Sequence, residues 1–184
     1  MRVIAGEARR LKLVTPEGND TRPTQDRIKE TLFNMIQNDV PGSVFIDVFA
    51  GSGGIGIEAL SRGAVRAYFI ENNIKAVKCI NQNIQTTKFE DRATVLKQDV
   101  LVGLKNIRED VVDIIFVDPP YEGGLYERTF ALLSKLSYVT QYTMIIAECN
   151  LDMDLSVFED QGFEIVKEKR YKTNQHVFMK RAAD

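Results

Sequence analysis

Short runs of apolar residues alternate along this chain with segments in which apolar residues recur every three or four positions. The runs predict five strands, at residues 44–48, 67–70, 93–96, 112–117 and 143–147. The helically spaced segments predict helices at or through residues 24–36, 57–60, 73–86, 100–104, 125–136 and 155–158. Two further strands, at residues 164–169 and 176–179, have no helix between them, so we expect them to pair antiparallel.

Alternating helices and nearly continuous apolar strands are typical of a parallel sheet covered on both faces. We therefore expect an α/β fold with a mainly parallel seven-stranded sheet and an antiparallel edge hairpin, an architecture that resembles the Rossmann-like class I methyltransferases. Residues 2–4 and 11–14 alternate in polarity and are expected to pair, and Thr24 is expected to cap the first helix. Residues 1–23 would form a small arm and linker, and residues 24–184 the methyltransferase domain.

Composition and charge restrict where a nucleic acid could bind. The 184 residues, 44% hydrophobic and 27% charged, suit one domain with a full-sized core. A net charge of -2 excludes the overall basic field that marks many nucleic-acid binders. Residues 1–30 contain seven Lys or Arg and five Asp or Glu, so they carry +2 and the remainder carries -4. Contact with a nucleic acid is therefore expected in the amino-terminal arm.

The two cysteines, Cys79 and Cys149, lie far apart among apolar neighbours. Their spacing gives neither a metal or redox motif nor a disulfide framework, so buried thiols are expected. No apolar run approaches the roughly 18–20 residues that cross a bilayer, and the amino terminus lacks the apolar segment of a signal peptide. We expect a cytoplasmic protein with neither a membrane contact nor an obligate protein partner.

A glycine-rich loop follows the first predicted strand and opens a helix. Gly51, Gly53 and Gly56 satisfy the pattern G-x-G-x-x-G, and Glu71 lies about 20 residues further on, where a carboxylate can hold ribose hydroxyls. A dinucleotide and S-adenosylmethionine both fit this pattern. Asp47 at the strand end would repel a pyrophosphate but attract the ammonium and sulfonium groups of S-adenosylmethionine. The charge therefore favours the methyl donor.

Further residues complete the predicted donor site. Phe49 lies in the loop, and Asn72 and the pair Asp99 and Val100 follow the next two strands, the last pair where an adenine amino group would lie. Asp99 is also suited to cap a helix. A nicotinamide-dependent oxidoreductase lacks an obvious catalytic pair here, because His176 is the only histidine. We expect His176 to be a surface residue of a strand rather than a catalyst.

Asp118, Pro119, Pro120 and Tyr121 directly follow the fourth predicted strand. Two prolines fix the backbone and donate no N–H, so the carbonyls are expected to point outward, unpaired. The Asp118 carboxylate and the Pro119 carbonyl can then accept both hydrogens of an aromatic amine, while Tyr121 stacks on its ring. The amine would be poised for in-line methyl transfer without a metal, with Asp118 as proton acceptor. The alternative is a plain strand end with a packing aromatic.

These motifs closely resemble the RsmD-like bacterial 16S rRNA guanine-N2 methyltransferases, over essentially the whole chain. The most specific segments are residues 2–6, 21–34, 47–54, 58–64 and 118–121. The resemblance implies transfer of a methyl group from S-adenosylmethionine to the exocyclic N2 amine of one guanine in 16S rRNA. S-adenosylhomocysteine would be the second product. The substrate would be the small ribosomal subunit or its precursor.

The same resemblance implies that the basic arm touches RNA. The residues assigned to this contact are Arg2, Arg9, Arg10, Lys12, Arg22 and Thr24. A solvated charged face is the alternative for Arg9, Arg10 and Lys12. The arm departs from the family pattern at one point, because Arg10 stands where many relatives have glycine and Leu11 where a basic residue is common.

Two other functions stay open on sequence grounds. Asp-Pro-Pro-Tyr is shared with adenine-N6 methyltransferases acting on DNA or RNA, although the DNA enzymes usually carry a separate target-recognition domain for which 184 residues leave no room. A non-catalytic RNA-binding factor of ribosome assembly is the second alternative. Because both the donor loop and the Asp118 motif are intact, a loss of activity is disfavoured.

Overall fold

The computed structural model describes residues 1–17, 23–121 and 123–183. Seven strands and six α-helices alternate through this part of the chain. The elements are α1 (Pro23–Met35), β1 (Val44–Val48), α2 (Gly54–Ser61), β2 (Arg66–Ile70), α3 (Ile74–Thr87), β3 (Ala93–Leu96), α4 (Val100–Lys105), β4 (Ile114–Val117), α5 (Leu125–Leu133), β5 (Met144–Asn150), α6 (Ser156–Glu159), β6 (Phe163–Arg170) and β7 (Asn174–Arg181).

All seven strands belong to one sheet, in the order β3-β2-β1-β4-β5-β7-β6. Strands β1 to β5 are parallel, whereas β7 is antiparallel to both β5 and β6. The predicted α/β fold and its reversed hairpin are therefore confirmed. Strand order reverses between β1 and β4, and open α/β sheets bind ligands beyond the carboxyl ends of the strands at such a point.

Each face of the sheet has its own hydrophobic core. Helices α4, α5 and α6 pack on one face, for example through Leu104, Phe130 and Phe158. Helices α1, α2 and α3 pack on the other, together with apolar residues of the amino-terminal arm. Cys149 is buried as predicted, whereas Cys79 is only partly buried. None of the helices in the described part of the chain has the length and apolar character that crossing a bilayer requires.

The start of α1 differs from the prediction. Thr24 was expected to cap this helix, but the helix begins at Pro23, so the backbone of Thr24 is already helical. Proline suits the first helical position because its fixed φ matches the helix and the N–H it lacks would have no partner there. The side chain of Thr24 and all of Arg22, both assigned to RNA contact, lie outside the described residues.

The arm folds back on itself as predicted. Arg2 and Lys12 form an antiparallel bridge, and the Val3 N–H donates to the Leu11 carbonyl at 3.0 Å. Arg10 closes the turn with φ 73, in the left-handed region that favours glycine. A backbone conformation that glycine adopts freely is therefore adopted here by arginine, at a conformational cost of about 1 kcal/mol.

Replacing Arg10 with glycine is expected to stabilise the protein by about 0.5–1 kcal/mol, because it removes this strain and the backbone need not change. Lys88→Gly is a matched variant, since Lys88 ends α3 with φ 60 and lies outside the arm. Thermal melting of both variants checks the expectation. A lower melting temperature for Arg10→Gly alone would mean that the arginine side chain stabilises the turn.

The arm is anchored on α2 by a buried carboxylate. Glu58 is fully buried, and its two oxygens accept the N–H groups of Ile4 at 2.9 Å and Ala5 at 3.1 Å. The same carboxylate lies 2.9 Å from Arg62 Nε and 3.7 Å from Lys29 Nζ. A cluster of one acid, two cations and two backbone donors therefore fixes the path of the arm.

Ser61, one turn after Glu58, completes this contact. Its Oγ accepts the Ala8 N–H at 2.9 Å and donates to the Ala5 carbonyl at 2.6 Å. Gly6 passes so close that a Cβ at this position would lie 1.8 Å from the Ser61 carbonyl oxygen. The arm is thus packed on the domain and forms part of the cavity wall described next.

Candidate active site

A cavity of about 920 Å³ opens beyond the carboxyl ends of β1, β4 and β5, on the face of the sheet that carries the arm. Its volume is in the range of pockets that bind small molecules. Residues from the glycine loop, the strand ends, α1 and the arm line it. The lining includes Asp47, Phe49, Gly51, Glu71 and Asp118 among the residues predicted from sequence.

The glycine loop lies close against the sheet. Phe49 has φ 60, which is strained for a residue with a side chain and is found mostly where function requires it. At Gly56 a Cβ would lie 2.4 Å from Phe69 Cε1, so only glycine lets α2 start at this distance from β2. Gly53 precedes α2 and does not line the cavity. The part of the loop and of the start of α2 that lines the cavity consists of Phe49, Ala50, Gly51, Ser52, Gly54 and Ile55.

Glu71 is held in place by two backbone donors. Its Oε2 accepts the Gly51 N–H at 2.9 Å, and its Oε1 accepts the Asn73 N–H at 2.9 Å. A carboxylate has lone pairs to spare after two such bonds, so both oxygens can still accept hydroxyl hydrogens. Asn73 lines the cavity and caps α3, whereas Asn72 is exposed and outside the lining.

Asp99 caps α4, as its alternative interpretation proposed. Its Oδ1 accepts the Leu101 N–H at 2.9 Å. Asp99 is exposed, and neither it nor Val100 lines the cavity. Adenine binding by these two residues remains a prediction.

Asp47 is a buried acid at the end of β1. It is 2% exposed, and its Oδ2 accepts the Gly56 N–H at 2.9 Å. Burial raises the pKa of Asp47 to about 8; the Gly56 hydrogen bond opposes the rise and the Glu71 charge adds to it. Without a cation nearby the side chain is therefore mostly protonated at neutral pH. A cationic group in the cavity would favour the ionised form.

Asp47→Asn is expected to stabilise the empty protein increasingly as the pH rises from about 4 to 8. In this window the unfolded Asp47 releases its proton while the folded one keeps it, so wild-type stability falls with pH. Asparagine cannot ionise, and its oxygen can still accept from Gly56. The gain should reach about 1 kcal/mol for each pH unit and level off above pH 8. Melting curves at several pH values measure it, and a difference independent of pH would contradict the burial argument.

Asp118 follows β4 directly and faces the same cavity. Burial raises its pKa well above the usual range, and the nearby acids Glu148 and Asp47 raise it further. Once ionised, a carboxyl group of raised pKa is a better proton acceptor than an ordinary aspartate, and a cationic group in the cavity would favour the ionised form. The position and the environment of Asp118 both suit the role predicted from its motif.

The other three residues of the motif are not among those that line the large cavity. Pro119 is buried, and Pro120 and Tyr121 are exposed, Tyr121 to 64%. Tyr121 does not line the large cavity and instead borders a neighbouring one of about 270 Å³. Stacking of Tyr121 on a base remains a prediction.

His176 is not the surface residue that the sequence analysis expected. It is 1% exposed, lines the cavity and packs edge-on against Phe116, with ring centroids 5.8 Å apart. The reason is that β7 lies inside the sheet, between β5 and β6, and is covered on both faces. Side chains on both faces of β7 are apolar and buried: Val177 and Met179 pack in one core, and Phe178 packs in the other. This pattern in the sequence could have predicted a buried histidine.

The sequence analysis also did not identify Glu148 as a residue of the site. It lies on β5 directly opposite His176 in the β5–β7 ladder, and its Oε2 is 2.9 Å from His176 Nε2. Asp47 on β1, Asp118 directly after β4, Glu148 on β5 and His176 on β7 therefore belong to four adjacent strands of the sheet, and all four line one cavity. Neighbouring strands are about 4.8 Å apart, so the four side chains form a polar row.

The arm residues assigned to RNA contact that the structure describes lie on the surface. Arg2 is 3.6 Å from Asp26, whereas the side chains of Arg9, Arg10 and Lys12 are exposed and form no ion pair with a described residue. They are available for phosphate groups, which remains a prediction.

Comparison with known proteins agrees with this geometry. Residues 1–180 match the family described as Conserved hypothetical protein 95. Ribosomal RNA small subunit methyltransferase D of Haemophilus influenzae is 36% identical over 171 residues, which cover 92% of this chain and 88% of that protein. The protein of the same name from Escherichia coli K12 is 35% identical over 155 residues, or 84% of this chain and 77% of that protein.

Comparison with solved structures shows a similar fold in known proteins. The Escherichia coli protein yhhF superposes with a TM-score of 0.87 at 32% identity, covering 100% of this chain and 99% of that one. Precorrin-6y C5,15-methyltransferase of Geobacter metallireducens, at 17% identity and a TM-score of 0.66, shares the fold alone. The chain therefore belongs to the Conserved hypothetical protein 95 or RsmD family, and it has the Rossmann-like fold of the S-adenosylmethionine-dependent methyltransferases.

Proposed function

We propose that this protein transfers a methyl group from S-adenosylmethionine to the exocyclic N2 amine of a guanine in 16S rRNA, within the small ribosomal subunit or its precursor. The observation that carries the proposal is that Asp47 and Asp118, at the carboxyl ends of the adjacent parallel strands β1 and β4, line one cavity at the point where strand order reverses. The names of the relatives support ribosomal RNA as the substrate class.

The residues present fit the methyl donor. Glu71 has free lone pairs for ribose hydroxyls, and Asp47 is a buried acid whose ionised form a cationic ligand would favour. The donor supplies an electrophilic methyl group on a sulfonium. Phe49 and Gly51 in the loop complete this part of the wall. We infer that this end of the cavity holds the donor and that Asp118 marks the acceptor end.

Asp118 and the Pro119 carbonyl would accept the two hydrogens of the target amine. This orients the nitrogen lone pair toward the methyl carbon, so the catalytic gain comes from positioning and electrostatics. The reaction forms a bond from N2 to the methyl carbon while the sulfur–carbon bond breaks, and its electron pair stays on the sulfur of S-adenosylhomocysteine. Asp118 takes the proton that the amine loses, which its raised pKa favours.

Residues 1–23 would serve as the RNA-contacting arm of this enzyme. Support comes from the packing of the arm beside the cavity, since Met1 and Thr15 line it while Arg9 and Lys12 point to solvent. Phosphate contacts position a nucleic acid without reading its sequence, and they weaken as salt increases. Work on ribosomal subunits would place the protein in the cytoplasm.

The test is methyl transfer from labelled S-adenosylmethionine to small subunits that lack the modification, followed by nucleoside mass spectrometry. Naked 16S rRNA and DNA are the comparison substrates. N2-methylguanosine in the subunits is the expected product. Methyladenine in RNA or DNA would overturn the proposed substrate and favour the adenine-N6 alternative. No product on any of the three acceptors would overturn the proposal in favour of a non-catalytic assembly factor.

A further inference from the structure

Glu148 is the third acid of the polar row, and neither the donor site nor the Asp118 motif accounts for it. Ala147 of β5 pairs with Val117 of β4. Glu148 and Asp118 are the next residues of the two chain segments, so they lie side by side at the same level of the sheet. Both line the cavity, and Glu148 contributes to the raised pKa of Asp118. A target amine at Asp118 therefore has Glu148 next to it, on the side away from Asp47.

The Glu148 carboxylate contacts two residues of β7. His176 Nε2 is 2.9 Å from its Oε2, and Asn174 Nδ2 donates to its Oε1 at 2.8 Å. Tyr171 OH is 3.1 Å from His176 Nδ1; when the hydroxyl donates there, Nε2 carries the hydrogen that Glu148 accepts. The carboxylate is nevertheless 23% exposed, and it has lone pairs beyond the two in use. Those lone pairs are available to a ligand in the cavity.

Purines differ in what lies next to the amine. Beside the 2-amine of guanine is N1–H, a hydrogen-bond donor, whereas beside the 6-amine of adenine is N1, an acceptor. Two acceptors side by side, Asp118 and Glu148, match the paired donors of guanine. They would leave adenine N1 facing a carboxylate, which is a desolvated and repulsive contact.

We propose that Glu148 is the base-selecting residue of this site, which accepts N1–H of the target guanine, and that His176 and Asn174 are its positioning residues. The inference rests on the proposed function, because it assumes a purine amine at Asp118. A site built to hydrogen-bond one group rejects analogues that lack it. We expect discrimination on the order of 10- to 100-fold.

The discriminating probe is 2-aminopurine, which keeps the 2-amine of guanine but has an acceptor at N1. Small subunits are reconstituted with either guanine or 2-aminopurine at the nucleotide found to be methylated, and kcat/KM is measured for both. Wild-type protein should prefer guanine by about 10- to 100-fold. Glu148→Gln should cut this ratio by about tenfold or more, because the amide can donate to N1 of 2-aminopurine.

The conservative variant Glu148→Asp should slow the reaction yet keep the preference for guanine, since it remains an acceptor. Glu159→Gln makes the same substitution at an exposed position of α6 and should leave both substrates unaffected. Stabilisation by S-adenosylhomocysteine in a thermal melt shows that each variant is folded. The ratio compares two substrates of one variant, so a general loss of activity does not change it.

An equal ratio for wild type and Glu148→Gln would overturn the assignment of Glu148, even if guanine is methylated normally. Failure of wild-type protein to methylate the guanine subunits would instead overturn the proposed function. The two results are distinguishable in the same experiment.

Discussion

Asp118→Ala is expected to lower methyl transfer to small ribosomal subunits on the order of 1000-fold while leaving the binding of S-adenosylmethionine nearly unchanged. The substitution removes the acceptor of an amine hydrogen and the acceptor of the leaving proton. The groups that we assign to the donor stay in place, because Asp47 lies on β1 and the glycine loop and Glu71 follow β1 and β2. Single-turnover kinetics measure the transfer step, and titration calorimetry measures donor affinity.

Asp110→Ala is the matched control for this experiment. Asp110 is exposed, precedes β4 and does not line the cavity. The control therefore makes the same substitution near the opposite end of the same strand. Its activity should equal that of the wild type. Loss of donor binding with Asp118→Ala would show that the division between a donor end and an acceptor end of the cavity is wrong.

The fold could be predicted because its determinants are local. Each parallel strand is an apolar run, and each helix shows a spacing that the next few residues complete. Parallel pairing followed from the regular alternation of strands and helices, whereas the order of the strands in the sheet was not predicted. The start of α1 was missed by one residue because proline and threonine are both accepted near a helix start, and the choice between them depends on the backbone that precedes them.

The site could be predicted only where one segment carries the chemistry. Asp47, Glu71 and Asp118 each end a strand within a recognisable motif, and the structure brings them into one cavity. Glu148 and His176 belong to no motif. Their contact depends on the register between β5 and β7. That register is set by the β6–β7 hairpin and by the position of β7 inside the sheet.

Electrostatic environment was equally beyond the sequence. The argument that Asp47 repels a pyrophosphate assumed an ionised carboxylate, yet burial raises its pKa to about 8. Asp47 can repel a pyrophosphate only after it has ionised, and a cationic ligand would favour that ionisation. Charge still favours the sulfonium donor, but through coupled ionisation rather than through a charge already present.

The amino-terminal arm depends on Glu58 for its position beside the cavity. Burial lowers the pKa of Lys29, whereas the nearby charge of Glu58 opposes this shift. Glu58 therefore favours the charged form of the Lys29 ammonium. Arg62 also stacks over the Phe33 ring, with Cζ 5.3 Å from the centroid. Removing the acid would leave Lys29 and Arg62 without this buried counter-ion and the N–H groups of Ile4 and Ala5 without their acceptor, which is a costly change in a folded protein.

Glu58→Ala is therefore expected to destabilise the protein by about 3–5 kcal/mol, which lowers the melting temperature by roughly 10 °C, and to release the arm. In hydrogen exchange, the amides of Ile4 and Ala5 should lose protection while those of β1 and β4 keep it, because the sheet core does not depend on the arm contact. Glu30→Ala, the same substitution at an exposed position of α1, should change stability by less than about 0.5 kcal/mol. If the two variants melt together, Glu58 does not anchor the arm; if exchange increases throughout the sheet, the arm is instead an integral part of the domain.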